Sequence, residues 1–166
     1  MTPQRRTKTP EQALAALMRL CARAEKSEGD ALRLMRGWGV TEEDARRVLA
    51  RLVADRFIDD ARYAEAFVRD KLRLSGWGAY KLRTALQRKG IDRAVIEEAL
   101  QQTNREEMAD RLADRLARKL RTTRAESAYA LRTKLIRYGL SLGYDYETVL
   151  DTVAKLIKET DSCDDF

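Results

Sequence analysis

The chain contains no histidine. That absence removes the commonest general base, the commonest metal ligand and the side chain that titrates nearest neutrality. Cysteine is almost as scarce: Cys21 falls on an apolar helical face and Cys163 in an acidic terminus, so the two make neither a disulfide framework nor a metal cluster. There is no glycine-rich phosphate loop, no Gly-x-Ser-x-Gly elbow and no Asp-rich calcium loop. Asp59 and Asp60 are adjacent carboxylates, but neighbouring side chains diverge on a helix, and an Asp ahead of an apolar-periodic run is a cap. Neither catalysis nor a cofactor, a metal or a small-molecule substrate is expected. No apolar run approaches the roughly 18 residues of a membrane span, and Met1 to Thr9 lacks the apolar stretch of a signal peptide. A soluble cytoplasmic protein without membrane contact is expected.

What the sequence does have is a recurring corner. A glycine, an apolar residue and a helix-capping residue stand together as Gly39-Val40-Thr41, Gly90-Ile91-Asp92 and Gly143-Tyr144-Asp145, spaced by 51 (90 − 39) and 53 (143 − 90) residues. Glycine takes the left-handed conformation that ends a helix, the apolar side chain folds back on that helix, and Thr or Asp caps the next one. Flanking positions keep the same register: Ala45, Ile96 and Val149 follow each glycine by six residues, and Leu49, Leu100 and Val153 by ten. Met35 and Leu86 precede it by four, where the third copy has Gly139, the one poor match. An interior glycine costs a helix about 1 kcal/mol relative to Ala, so local weakness is expected there. The two Gly-Trp-Gly runs, Gly37 to Gly39 and Gly76 to Gly78, suggest a different period of 39 residues, but that offset sets Leu49 against Arg88 and is accidental.

The helix-period pattern and its start signals predict nine helices, at 10–25, 28–37, 42–54, 60–74, 78–89, 92–102, 105–121, 124–142 and 146–158. Thr9-Pro10-Glu11-Gln12 and Thr123-Arg124-Ala125-Glu126 read as capping boxes, and Asn104 with Glu107 follows the same logic. The expected fold is all-α: three tandem three-helix-bundle repeats in an elongated, curved arrangement. Their expected limits are 10–58, 59–103 and 104–158, followed by a disordered acidic tail at 159–166. Trp38 and Trp77, both at helix ends, are expected to pack between modules.

Charged residues make up 36% of the chain, with a formal net charge of +6, and the excess is concentrated. Arg69 to Arg93 holds eight basic and two acidic residues, a net of 8 − 2 = +6; Arg115 to Tyr138 holds eight basic residues and Glu126 alone, a net of 8 − 1 = +7. Helical spacing aligns Arg62, Arg69 and Arg73 on one stripe and Lys81 with Arg88 on another. Arg111, Arg115 and Arg118 form a third, and Lys134 with Arg137 a fourth. Each stripe taken singly is an ordinary solvated face with local ion pairs. Clustered on successive helices, the stripes attract a polyanion, and without a short polar base-contacting set the contact expected is with phosphates and not with sequence.

Asp59-Asp60-Ala61-Arg62-Tyr63-Ala64-Glu65-Ala66-Phe67-Val68-Arg69, then Gly78-Ala79-Tyr80-Lys81-Leu82-Arg83, then Leu86-Gln87-Arg88-Lys89-Gly90-Ile91, resemble the RecX family of regulators of the RecA recombinase. The resemblance extends more weakly over about residues 10 to 157. It implies three tandem three-helix bundles, no cofactor and no enzymatic activity. It also implies binding to the RecA filament on single- or double-stranded DNA and inhibition of recombinase, ATPase and coprotease activities in recombination and repair. Arg62, Arg69, Lys81 and Arg88 carry over from it as contacts, with Lys81 and Arg88 expected to be exposed. Arg73, Arg111, Arg115, Arg118, Lys134 and Arg137 are added on charge alone, and the first module is expected to orient more than to anchor. The readings set against this one are a helix-turn-helix transcriptional regulator with a defined operator and a helical protein scaffold indifferent to salt.

Overall fold

The computed structural model describes residues 7–163. Every regular element among them is an α-helix: α1 (Pro10–Arg23), α2 (Glu28–Gly37), α3 (Glu42–Ala54), α4 (Asp60–Ser75), α5 (Ala79–Arg88), α6 (Arg93–Gln101), α7 (Arg105–Thr122), α8 (Ala128–Ser141) and α9 (Tyr146–Cys163). None of these is long and apolar enough to cross a membrane.

The three corners form as their residue types require. Gly39, Gly90 and Gly143 have φ of 73°, 78° and 96°, a region that a Cβ disfavours. The amide of Val40 donates to Met35 O at 3.0 Å and that of Ile91 to Leu86 O at 3.2 Å, the long bond of a Schellman ending. Thr41 Oγ1 accepts from the Asp44 amide at 3.3 Å, and Asp145 Oδ2 from that of Thr148 at 2.9 Å, so the next helix starts at once. The Thr9 box also closes: Thr9 Oγ1 accepts from the Gln12 amide and Gln12 Oε1 from the Thr9 amide.

Within the helices themselves three differences from the sequence expectation concern a cap, a terminus and a glycine. The Thr123 hydroxyl donates to Lys119 O at 2.6 Å, which makes Thr123 the end of α7 and not the cap of α8. Ser127 performs that capping instead, its Oγ accepting from the Ala130 amide at 3.1 Å. Further on, α9 continues to Cys163, so residues 159–163 of the expected disordered tail are helical, while Asp164 and Asp165 lie outside the described residues. Gly139 has a packing reason that helix propensity does not capture: a Cβ placed there would stand 2.7 Å from Val149 Cγ1. At the corresponding repeat positions the first module has Met35 and Ala45, both in its core, and the third has a glycine against a valine.

Two apolar clusters account for the packing that can be traced helix by helix. Leu17, Met35, Val48, Leu52 and Ile58 close the core of α1 to α3, and Leu112, Leu116, Leu135, Val149 and Val153 that of α7 to α9. Burying such side chains contributes about 1.5 to 3 kcal/mol each. In the middle helices Leu72, Leu82, Leu86 and Ile96 are buried as the pattern required. Trp38 packs on the first of these cores, and Trp77 lies edge-on to Phe67 at 6.1 Å. By its contacts the chain divides into two compact units: residues up to Ala66 with Leu86–Glu97, and Phe67–Ala85 with the residues from Glu98 on. That division passes through α4, α5 and α6, and the threefold limits read from the sequence repeat remain a reading of the repeat.

Candidate nucleic-acid interface

In the first unit the arginine that begins α4 is committed to the fold. Arg62 Nε lies 2.7 Å from Glu25 Oε1, and Nη2 donates to the carbonyls of Arg56 and Phe57 at 3.2 and 3.3 Å. Those carbonyls belong to a tight turn in which Arg56 itself has a φ of 59°. The hydrogen bond to Glu25 raises the Arg62 pKa still further. Arg62 therefore leaves the stripe that its spacing suggested.

Lys89 is committed in the same way. Its Nζ lies 3.0 Å from Asp30 Oδ1, and Asp30 also accepts from the Ser27 amide at 3.3 Å. Burial alone would raise the Asp30 pKa, but the hydrogen bonds from Lys89 and Ser27 outweigh it and hold the carboxyl below its ordinary value. Close by, Asp60 Oδ1 accepts from the Glu28 amide at 2.8 Å, and burial raises the pKa of both Asp60 and Glu28. Arg88, next to Lys89, is exposed as expected.

In the second unit the candidate cations fall into two groups. Arg73 and Arg111 both approach Glu107 Oε1, each at 3.9 Å, and Arg69 approaches Asp70 at 3.5 Å. Arg115 donates from Nη2 to Leu74 O, and its side chain occupies the space over Gly76, where a Cβ would stand 2.7 Å from Arg115 Cγ. Lys81 is half-buried, its ammonium 4.6 Å from the Trp77 ring centre, with Lys71 at 4.8 Å. This corrects the expectation that Lys81 is exposed: a cation over an indole face is held by the ring quadrupole. Beneath Arg111 and Arg115 the Tyr144 hydroxyl is buried without a hydrogen-bond partner, and burial pushes its pKa up to about 12.

The other group faces solvent together. Between the end of α7 and the middle of α8 lies a groove of about 520 Å³ lined by Lys119, Arg124, Lys134 and Arg137, with no carboxylate among its walls. Four hydroxyl-bearing residues complete it: Thr122, Thr123, Tyr138 and Ser141. Arg118 is exposed on α7 nearby in sequence. Of the ten sequence candidates, Lys134 and Arg137 are brought together here. Lys119 and Arg124 join them without having been singled out, although both lie in the basic run. Correct placement of the α7 terminus would have signalled Arg124, since that puts it in a loop facing α8.

Known proteins resemble the chain at three levels. A family model described as RecX, second three-helix domain, matches residues 59–100. Regulatory protein RecX of Clostridium botulinum strain Eklund 17B is 36% identical over 137 residues, covering 81% of this chain and 62% of that protein. Its counterpart in strain Alaska E43 is 36% identical over 134 residues, covering 79% and 60%. The chain thus spans about three fifths of the length of these curated relatives. Regulatory protein RecX of Prosthecochloris aestuarii is 29% identical over 119 residues, covering 72% of this chain and 76% of that one. Among solved structures, a crystal structure of regulatory protein RecX superposes with a TM-score of 0.81 at 21% identity, over 88% of this chain and 73% of that one. RecX from Lactobacillus salivarius gives 0.73 at 22%, over 92% and 96%. At those identities the superpositions establish the all-helical fold.

Proposed function

Because the chain belongs to the RecX family, we propose that it is a non-catalytic regulator that binds the RecA filament on DNA and inhibits its recombinase, ATPase and coprotease activities in recombination and repair. The protein is cytoplasmic and meets single- and double-stranded DNA through phosphates, without sequence preference. The observation that carries this reading is the groove between α7 and α8, where four cations converge and no carboxylate offsets them. A phosphate-bearing assembly meets such a wall with charge-assisted hydrogen bonds, which are stronger than those a neutral protein surface offers. Exposed Arg69, Arg88 and Arg118 add to the attraction at longer range.

Titrating the purified protein into RecA on single-stranded DNA tests the reading. ATP hydrolysis is expected to fall at substoichiometric protein, and unchanged hydrolysis at equimolar protein ends the proposal. A footprint on one defined duplex site would instead assign a sequence-specific transcriptional regulator.

A further inference from the structure

The cations of the α7–α8 groove stand beside a helix end at which two of the terminal carbonyls, those of Lys119 and Leu120, already have donors. A helix C-terminus ordinarily presents bare carbonyls and a negative potential. Here Thr122 Oγ1 donates to Lys119 O at 3.2 Å and Thr123 Oγ1 to the same carbonyl at 2.6 Å. The Thr123 amide donates to Leu120 O at 3.3 Å. Across the groove Lys134 Nζ donates to Arg124 O at 2.7 Å, and Ser141 Oγ to Tyr138 O at 2.7 Å. The Thr122, Thr123 and Ser141 hydroxyls donate to carbonyls, and the cationic N–H groups of Lys119, Arg124, Lys134 and Arg137 are the charged donors of the lining.

We infer that this groove is a binding site for the phosphodiester backbone of nucleic acid, with Arg124 and Arg137 as its phosphate ligands and Lys134 and Lys119 as supporting charge. The inference deepens the function proposed above and rests on it for the choice of ligand. Two features favour a chain of phosphates over a single one. Positive charge continues past the groove on both helices, with exposed Arg118 and Arg121 on α7 and exposed Arg132 on α8. Glu126 is the one acidic residue from Arg115 to Tyr138. Guanidinium groups match phosphate oxygens in a bidentate manner, which a protein's scattered carboxylates satisfy less regularly.

The same geometry argues against base reading. Discrimination between bases needs donors and acceptors free to meet their edges, whereas stacking on an aromatic face tolerates any base. The groove's Thr122, Thr123 and Ser141 hydroxyls are engaged with carbonyls, and the ammonium of Lys119 lies 5.1 Å from the Tyr138 ring centre. With those hydroxyl hydrogens spent, the cations are the groove's donors, and phosphate oxygens are the acceptors that a nucleic-acid backbone presents to them at every nucleotide.

The test is fluorescence anisotropy with a labelled thirty-nucleotide oligo-dT over a range of salt concentrations, on the full chain. Arg124→Ala with Arg137→Ala is expected to weaken binding about tenfold and to lower the salt slope by about 1.4, two contacts at roughly 0.7 each for a single strand. Arg36→Ala removes one positive charge from an exposed position in α2, outside the groove lining, and is expected to change little. Both altered groove residues are exposed, and circular dichroism checks that the fold is kept. Wild-type affinity and slope in the double variant, or an equal loss from Arg36→Ala, overturns the assignment. RecA ATPase measured in parallel separates this claim from the regulatory one. Wild-type protein that binds oligo-dT through the groove yet leaves RecA unaffected keeps the site and removes the regulator. An inhibitor whose double variant still binds oligo-dT normally does the reverse.

Discussion

Gly139 and Val149 are shaped to one another: a Cβ on the glycine would lie 2.7 and 3.0 Å from the two methyl carbons of the valine. Helix propensity alone says that Gly139→Ala stabilises by up to about 1 kcal/mol. Overpacking opposes it with about 1 to 3 kcal/mol, because Val149 is fully buried and has nowhere to move. Net destabilisation is expected in urea unfolding. Val149→Ala removes the clash, so the double variant should be more stable than the sum of the two single changes implies, by at least about 0.5 kcal/mol. Additive behaviour would show that the contact is not the reason for the glycine.

The corners were legible in the sequence because their chemistry is local. A left-handed φ at Gly39, Gly90 and Gly143 needs glycine, and the residues that follow it are apolar and then capping. The start of α8 was not legible, since Thr123 and Ser127 are equally good caps and the decision lies with a hydroxyl that donates back to Lys119 O. Cations followed the same rule. Periodicity located the basic run but could not separate Arg115, whose guanidinium meets a carbonyl 41 residues away, from Arg137, which lines an open groove. Both are arginines at helical spacing, and the difference between them is tertiary.

Tyr144 carries a hydroxyl that folding has removed from water without a partner. Such a group costs about 1 to 3 kcal/mol, so Tyr144→Phe should raise the melting temperature by a few degrees. The raised pKa supplies a second reading. A group whose folded pKa is elevated contributes fully below its unfolded value, here about 10, and the contribution is lost as pH climbs through the folded value of about 12. Wild-type stability should therefore fall over that interval by about 2 to 3 kcal/mol more than that of the phenylalanine variant. Parallel alkaline limbs in the two proteins would refute the burial of this hydroxyl.

Asp30 and Asp60 stand close together in the first unit and respond to pH with opposite sign. The Asp30 pKa is depressed, so its contribution is present above the ordinary aspartate value of about 3.9 and disappears as pH falls through the lower folded value. Lys89 is raised by the same bond, so its contribution persists below about pH 10.4 and is lost above it. Asp60 and Glu28 are raised by burial, and protonating them favours the fold as pH falls. Asp30→Asn should cost about 1 to 2 kcal/mol at pH 7, discounted because Lys89 is partly exposed, and progressively less below pH 4. Asp60→Asn retains an oxygen for the Glu28 amide and should be neutral or stabilising at pH 7. Urea midpoints at pH 7 and pH 3 check both signs.

Arg62 and Arg137 differ in what surrounds their guanidinium groups. The first holds Glu25 and two turn carbonyls in place; the second lines the groove of the second unit. Arg62→Ala should lower stability by about 1 to 2 kcal/mol, since a partly exposed ion pair adds little and the two carbonyl bonds supply the remainder. The same variant should leave oligo-dT affinity within about twofold of wild type once folded, because its charge is already neutralised by Glu25. Arg137→Ala should do the opposite, keeping its melting temperature while losing affinity and about 0.7 of salt slope. Thermal unfolding and anisotropy on the two variants decide the matter. If Arg62→Ala loses DNA while keeping its stability, the guanidinium leaves Glu25 to meet phosphate, and its place is in the binding surface after all.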